Sequence, residues 1–274
     1  TMNPVIYGGA AARLAGAPAA VFSVTGLGHL FLTDTSKAKT LRRVVLALFR
    51  FALHHPNART IFQNVDDQRM FEHAGIVDQD DTVLLPGTGV DLTLFRPRDN
   101  GDDGPPVVLF PARLIGEKGV REFAAAARRL KAEGVAGRFV LAGRPDPENP
   151  SDVGAGTVDQ WEQEGIVENW GFSTDMPETL RRADVVCMPS YREGTPRSLI
   201  EALATGLPIV TTDAVGCRDM VEDGGNGYLA PVGDSTAVAD ALGKLLRDPA
   251  LRTRMGQRSR VLAEQNYPVD KFVT

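Results

Sequence analysis

Residues 185–204, VVCMPSYREGTPRSLIEALA, hold the pattern that decides the fold. The apolar run that ends at Pro189 and Ser190 is typical of a short strand buried in a parallel sheet. After a polar loop, Thr195 suits a helix N-cap and Pro196 the first helical position, and apolar residues from 199 onward supply a buried face. The loop therefore lies at the carboxyl end of a strand, where open α/β sheets bind ligands.

Two glutamates frame this helix start, Glu193 in the loop and Glu201 in the helix. Free N–H groups in the first turn of a helix can hold an anion such as a diphosphate. Glu201 lies roughly 7.5 Å along the axis beyond Pro196, so two carboxylates would bracket one ligand of that length. Glutamate is also a good helix former that usually faces water, and the residues alone leave both interpretations open.

The chain after residue 104 alternates short apolar runs with helical patterns, which is typical of a doubly wound parallel sheet. Before residue 86 we expect only three strands. A sheet built from units of about 30 residues needs more chain than that, so we expect the first domain to lack its beginning. The predicted strands are 21–24, 60–63, 82–85, 107–111, 138–142, 167–171, 185–189, 209–212 and 228–230, and the predicted helices are 4–15, 40–55, 66–74, 119–133, 158–164, 176–182, 196–204, 218–222 and 236–247.

The composition is that of an ordinary globular protein and argues against several other classes. The 274 residues are 43% hydrophobic and 24% charged, enough for a sizeable core in about two domains. A net charge of -5 argues against a nucleic-acid-binding protein. The two cysteines, Cys187 and Cys217, imply neither a disulfide framework nor a zinc site and fit a reducing cytosol. No apolar run reaches the roughly 18 residues of a spanning helix, and no secretory signal pattern is present.

The stretch from Glu193 to Glu201, with residues 202–210 after it, resembles the E-x7-E signature of the retaining glycosyltransferases of family 4. Residues 111–119 and 86–97 extend the resemblance. It implies a GT-B fold, which is two Rossmann-like doubly wound domains, the N-terminal one incomplete here because the family's first strand and glycine-rich turn have no counterpart. The domains expected are a partial acceptor-side domain over 1–97, a nucleotide-sugar-binding domain over 98–260, and the start of a C-terminal crossover helix over 261–274.

The resemblance also implies a role for each site residue. Glu201 would bind the ribose hydroxyls, and Glu193 would face the donor sugar. Arg113 and Lys118 would hold the diphosphate and stabilise the charge of the leaving group, although an arbitrary pair of cations usually faces water. The other residues expected to bind the donor are Gly194, Thr195, Pro196 and Ser198 at the helix start, and Gly143 and Phe172 near the base.

Three polar features are weaker candidates. Family members often carry a histidine after the middle strand of the first domain. Here Thr25 stands near that position, and His29 lies four residues later. His29 is therefore either the counterpart of the family's histidine or a structural residue. Residues 78–80, Asp-Gln-Asp, superficially match the DxD metal motif of other glycosyltransferases, but we interpret them as a solvated turn. His54 and His55 have no ligand partners nearby in sequence. We expect no metal and no cofactor.

The helix predicted over 40–55 is basic and amphipathic. Six basic residues and no acidic one lie between Ser36 and Arg59. Such a helix can lie on an anionic membrane surface, or it can pack in a domain with a solvated basic stripe. We expect a cytoplasmic protein, peripheral on the inner face of the membrane.

The sequence thus predicts a hexosyltransferase that moves a sugar, with retention, from a nucleoside diphosphate sugar to a glycan or lipid-linked acceptor. A UDP-sugar is the expected donor. Residues 25–28, Thr-Gly-Leu-Gly, resemble a bacterial subgroup that glycosylates lipid-linked or cell-surface glycans. A non-catalytic nucleotide-sugar-binding module and a sugar-nucleotide epimerase on the same fold are the alternatives.

Overall fold

The computed structural model describes residues 2–28, 31, 35–98 and 104–272. Contacts divide the chain into two units. Unit 1 comprises residues 1–87 with 192–195, and unit 2 comprises residues 88–191 with 196–274. The boundary between the two units thus lies after Gly87. The domain boundary expected between residues 97 and 98 stays a prediction.

Unit 1 is built on a three-stranded parallel sheet in the order β1-β2-β3. Its core includes Phe71, which lies edge-to-face against Phe49 and Phe62 with ring centroids 5.0 Å and 5.2 Å away. Asn64 caps α3 by accepting the Asp67 N–H. The elements are α1 (Met2–Leu14), β1 (Ala20–Val24), α2 (Ser36–Leu53), β2 (Ala58–Phe62), α3 (Val65–His73) and β3 (Thr82–Leu84).

Unit 2 is built on a six-stranded parallel sheet in the order β6-β5-β4-β7-β8-β9. The chain adds β5 and β6 on one side of β4 and then returns to place β7 on the other, so the strand order reverses between β4 and β7. The elements are β4 (Val107–Phe110), α4 (Val120–Ala132), β5 (Arg138–Leu141), α5 (Ala155–Gln163), β6 (Glu168–Asn169), α6 (Met176–Arg181), β7 (Val185–Met188), α7 (Arg197–Ala204), β8 (Ile209–Thr212), β9 (Gly227–Ala230), α8 (Ser235–Arg247) and α9 (Pro249–Asn266).

The central strands of unit 2 are buried along their whole length because helices cover both faces. All four residues of β4, β7 and β8 are buried. Phe123 of α4 packs near Phe110 and Phe139, with ring centroids 5.4 Å and 6.1 Å away. This core fixes the carboxyl ends of the strands, from which the site loops leave.

The structure corrects three local predictions. Helix α7 begins at Arg197 with Pro196 at the cap position, because the Thr195 hydroxyl donates to the carbonyl of Gln63 at 2.9 Å and does not cap the helix. The helix predicted over 218–222 is a 3-10 turn over Arg218–Met220. Strand β6 is two residues long, shorter than the predicted 167–171.

The C-terminal helix also differs from the prediction. Helix α9 begins at Pro249 and ends at Asn266, and the predicted helices had ended at residue 247. The start of a crossover helix over 261–274 stays a prediction. Asp248 caps α9 by accepting the Leu251 N–H at 2.9 Å. A 3-10 turn over Val269–Lys271 follows, since Pro268 cannot continue the helix.

Candidate active site

Two loops meet where the strand order of unit 2 reverses, one after β4 and one after β7. The backbone N–H of Tyr191 donates to the Glu117 carbonyl at 2.9 Å, and the Ser190 hydroxyl donates to the same oxygen at 3.0 Å. Gly119 has φ +78°, and a Cβ there would lie 2.0 Å from the Pro189 carbonyl oxygen. Only glycine therefore fits at 119, and the two loops are held side by side at the switch point, the usual ligand position of such sheets.

Both predicted cations lie in the loop after β4. Lys118 ends a 3-10 turn over Gly116–Lys118, and Arg113 precedes it. The Arg113 guanidinium contacts the Asp146 carboxylate at 2.5 Å, and its side chain is 55% exposed. An ion pair with so exposed an arginine contributes only about 0–1 kcal/mol, so little stability depends on the contact with Asp146. Sequence reasoning missed Asp146, which lies in the neighbouring loop after β5 and carried no motif.

The start of α7 offers backbone hydrogen-bond donors. The N–H groups of Leu199 and Ile200 both donate to the Pro196 carbonyl, at 3.0 Å and 3.2 Å. Within the described residues no side chain caps this helix, so the N–H groups ahead of residue 199 point out of its first turn. Ser198 lies in that turn, with its hydroxyl 3.5 Å from the Met188 sulfur. This arrangement suits an anion.

Glu201 is a buried carboxylate in α7, 7% exposed as a residue. Its Oε1 accepts a hydrogen bond from Arg197 Nε at 2.8 Å, one turn earlier. Burial raises the pKa of Glu201, and Arg197 opposes that rise. A buried carboxylate beside a helix start can accept hydrogen bonds from two neighbouring hydroxyls, which is the task expected of a ribose-binding residue.

The predicted base-binding residues lie on the other side of β4. Gly143 follows β5, and a Cβ there would lie 1.9 Å from the Ala112 carbonyl oxygen, so glycine is required for this close approach. Phe172 follows β6 and is 64% exposed. The Arg144 guanidinium carbon lies over the Phe172 ring, 5.2 Å from the ring centroid. An exposed ring with a stacked cation is a surface on which a planar base can stack.

The predicted site residues are divided between the two units. Arg113, Lys118, Gly143, Phe172, Pro196, Ser198 and Glu201 belong to unit 2, and Glu193, Gly194 and Thr195 belong to unit 1. The binding of one ligand by Glu193 and Glu201 together stays a prediction. Two residues that contact the 192–195 segment, Asn64 and Asp67, were not identified from the sequence.

The weaker candidates gain no support. His29 lies outside the described residues. Residues 79–81 form a 3-10 turn in which Asp81 pairs with Arg59, and His55 Nε2 lies 2.9 Å from the Ala17 carbonyl oxygen. Over residues 2–28, 31, 35–98 and 104–272, no three His, Cys, Asp or Glu side chains are grouped to hold a metal ion. In the same part of the chain, no helix has the length and apolar character needed to cross a bilayer.

A cavity of about 700 Å³ in unit 2 lies away from these residues. It is bordered by Asp184 and Pro208, which precede β7 and β8, and by Arg252 of α9. That is the amino edge of the sheet, and the Arg252 guanidinium there is engaged by the carbonyls of Leu245 and Leu246. The carboxyl edge, with its cations and buried glutamate, is therefore the better site for a diphosphate.

Comparison with known proteins shows the family. Residues 93–261 match the model of the glycosyl transferases group 1 family. The chain belongs to this family. The family predicted from the E-x7-E motif is thereby confirmed at this level.

Two curated relatives act on diphospho-undecaprenol-linked sugars. The chain is 28% identical over 92% of its length to the N,N'-diacetylbacillosaminyl-diphospho-undecaprenol alpha-1,3-N-acetylgalactosaminyltransferase of Campylobacter jejuni. It is 28% identical over 90% of its length to the UDP-Gal:alpha-D-GlcNAc-diphosphoundecaprenol alpha-1,3-galactosyltransferase of Escherichia coli. The chain spans 68% and 65% of these two proteins, and less than half of several other curated relatives.

Among solved structures, Anabaena HepE in complex with UDP and glucose matches with a TM-score of 0.79 at 22% identity. The match covers 99% of this chain and 73% of HepE. The α/β fold of GT-B type predicted from the sequence is confirmed.

Proposed function

We propose that this protein is a glycosyltransferase that binds a nucleoside diphosphate sugar at the switch point of unit 2 and transfers its hexose to a glycan or lipid-linked acceptor. One observation carries the proposal: the loop after β7 leads towards the helix of the buried Glu201 carboxylate, and Ser190 and Tyr191 of that loop are hydrogen-bonded to the loop of Arg113 and Lys118. Membership of the glycosyl transferases group 1 family supports it.

We infer that the donor is a UDP-sugar. The name of the E. coli relative specifies UDP-Gal, and HepE was crystallised with UDP and glucose. In this chain, Glu201 would accept hydrogen bonds from the ribose hydroxyls, and the base would stack on Phe172 beside Arg144. Arg113, Lys118 and the first turn of α7 would hold the diphosphate between them.

The proposed reaction needs no covalent intermediate. The bond between the anomeric carbon and the diphosphate oxygen breaks, and its electron pair leaves with UDP. The acceptor oxygen bonds to the same face of the sugar, and its proton passes to the departing phosphate oxygen, so configuration is retained. Arg113 and Lys118 would stabilise the charge that develops on UDP, and binding would hold acceptor and donor at reacting distance.

The reaction is tested by incubating the protein with UDP-glucose, UDP-galactose, UDP-GlcNAc or UDP-GalNAc and a diphospho-undecaprenol-linked GlcNAc acceptor. We expect UDP release that requires the acceptor, and a product whose NMR coupling shows an α linkage. Binding without turnover would favour a nucleotide-sugar-binding module. An isomerised donor formed without acceptor would favour an epimerase.

We also propose that α2 contacts an anionic membrane surface. Leu41, Val44, Leu48 and Phe51 lie on one flank of the helix and are 45–53% exposed. Basic residues flank them, including Lys37 and Arg43, which are exposed. Apolar insertion and charge attraction together bind such helices to lipid, and the acceptors named for the relatives are lipid-linked.

Sedimentation with phosphatidylglycerol vesicles at low salt tests this contact. We expect the wild-type protein to sediment and Lys37→Glu with Arg43→Glu to remain largely in the supernatant. Arg69→Glu with Arg254→Glu, an equal change of net charge at exposed positions on α3 and α9, is the control and should sediment as wild type does. Equal sedimentation of both double variants would contradict a role for α2.

A further inference from the structure

The signature segment, residues 192–195, carries Glu193 and is held by side chains and backbone of unit 1. Arg192 forms an ion pair with Asp67 of α3. The Gly194 carbonyl accepts a hydrogen bond from Asn64 Nδ2 at 3.0 Å. With the bond from Thr195 to Gln63, each residue that flanks Glu193 in the segment has its own anchor.

The ion pair is almost fully removed from water. The Asp67 side chain has no exposed surface, and the Arg192 side chain is 13% exposed. The Nε of Arg192 is buried and, among the described residues, has no hydrogen-bond partner. A buried ion pair with an unsatisfied donor is a poor way to stabilise a fold, since apolar residues of similar volume often do as well or better. Fixing one conformation of the segment is the more economical explanation.

Asn64 performs two tasks that require an amide. Its Oδ1 accepts the Asp67 N–H at 2.8 Å and so caps α3, while its Nδ2 donates to Asp67 Oδ2 at 3.1 Å and to Gly194. Serine or aspartate would cap the helix as well, but neither would donate to the Gly194 carbonyl as this amide does. A Cβ at Gly194 would lie 2.0 Å from the Thr25 carbonyl oxygen, so the backbone of the segment packs closely against the chain that follows β1.

We propose that Asp67 and Asn64 are positioning residues that fix the backbone of Glu193 for contact with the donor sugar. They act through Arg192 and Gly194, and nucleotide affinity should not depend on them. This inference rests on the proposed function, because Glu193 is assigned there to the sugar of the donor. It adds that Asn64 and Asp67, through the segment that they anchor, determine how well the donor sugar is held.

The experiment compares dissociation constants for UDP and for the four UDP-sugars above, measured by calorimetry, together with donor turnover. Asp67→Asn keeps the side-chain volume and removes the charge opposite Arg192. Asn64→Ser keeps the helix cap and removes the donor to Gly194. Asp81→Asn is the matched control, because it breaks an exposed ion pair with Arg59 in the same unit.

We expect the UDP dissociation constant to stay within twofold of wild type in all three variants. In Asp67→Asn and Asn64→Ser the ratio of the UDP-sugar constant to the UDP constant should rise at least tenfold, and kcat should fall at least tenfold. Asp81→Asn should leave both unchanged. Adding Arg192→Gln to Asp67→Asn should cause little further loss, because the two residues act as one pair.

Three results would overturn the positioning role. One is an unchanged ratio and kcat in both variants; another is a loss of UDP affinity as large as the loss of UDP-sugar affinity, which would show a general structural defect. Full additivity of Asp67→Asn and Arg192→Gln is the third. If the wild-type protein binds no UDP, the proposed function itself fails and the positioning role fails with it. If Asp67→Asn does not fold, Asn64→Ser alone decides between these outcomes.

Discussion

Burial of the Glu201 carboxylate gives the site a dependence on pH. The pKa of Glu201 is raised by desolvation, with Arg197 opposing the rise. In the folded protein the carboxylate therefore takes up a proton at a higher pH than in the unfolded chain. Its stabilising contribution is present below the ordinary glutamate pKa and is lost as pH rises through the folded value. The proposed binding of ribose has the opposite preference, because an ionised carboxylate is the better acceptor for hydroxyl groups.

We predict that UDP affinity falls as pH decreases from about 7.5 towards the ordinary glutamate pKa of about 4.3. Glu201→Gln should bind UDP more weakly at neutral pH and show a flatter profile. UDP itself titrates in this range, so the phosphate contribution is common to both proteins and the difference between the profiles belongs to Glu201. Calorimetry at several pH values measures it, and parallel profiles would contradict the assignment.

Gly119 provides a second prediction at the level of one residue. Its positive φ and its contact with the Pro189 carbonyl leave no room for a side chain. Gly119→Ala should destabilise unit 2 by at least about 1–2 kcal/mol from backbone strain alone, and it should weaken UDP binding. Gly156→Ala is the control, because Gly156 lies within α5 with nothing within 4 Å of an added Cβ, so alanine there should stabilise by about 0.5–1 kcal/mol. Equal urea midpoints for the two variants would contradict this account.

At the scale of helices and strands, local pattern predicted most of the sheet. Strands such as β4, β7 and β8 were found from apolar runs closed by proline, glycine or polar residues, because burial on both faces leaves that mark in the sequence. The predicted start of α7 was wrong because Thr195 donates its hydrogen bond to Gln63, 132 positions away in the chain, instead of capping the helix. Asp146, Asn64 and Asp67 were missed for the same reason, since their partners are set by the fold and not by spacing.

Helix α9 was not predicted because its apolar positions are sparse. It packs through small residues: a Cβ at Gly256 would lie 2.2 Å from the Gly206 carbonyl oxygen, and Ser259 is fully buried beside Asn226. Small residues leave no amphipathic pattern of large apolar side chains. The Asp248–Pro249 start signal was present, and an N-cap followed by proline would have found it.

The cap of α9 gives a prediction for the whole helix. Asp248→Ala removes the acceptor for the Leu251 N–H and should lower the unfolding free energy of unit 2 by about 1 kcal/mol. Urea unfolding followed by tryptophan fluorescence measures the change, which should appear as a lower midpoint with an unaltered slope. An unchanged midpoint would show that the end of this helix frays without consequence.

At the scale of the molecule, each unit has a hydrophobic core of its own. The core of unit 1 is the smaller, so we expect unit 1 to be the less stable. Both tryptophans, Trp161 and Trp170, belong to unit 2, so fluorescence reports on that unit while circular dichroism reports on both.

We therefore predict that the two probes give different urea transitions, with the fluorescence transition the later one. UDP at 100 times its dissociation constant should raise the stability measured by fluorescence by about 2.7 kcal/mol and leave the earlier transition in place. A single coincident transition that UDP shifts as a whole would contradict independent unfolding of the units.

The most direct test of the central claim, that the carboxyl edge of the unit 2 sheet binds a nucleoside diphosphate through Glu201, is a calorimetric titration with UDP. Wild type should bind, and Glu201→Ala should bind at least tenfold more weakly, a loss of about 1.4 kcal/mol. Glu264→Ala is the control, because it removes the carboxylate of an equivalent i,i+4 pair with Arg260 on α9. It should bind as wild type does. Equal affinities for all three proteins, or no binding by wild type, would contradict the account.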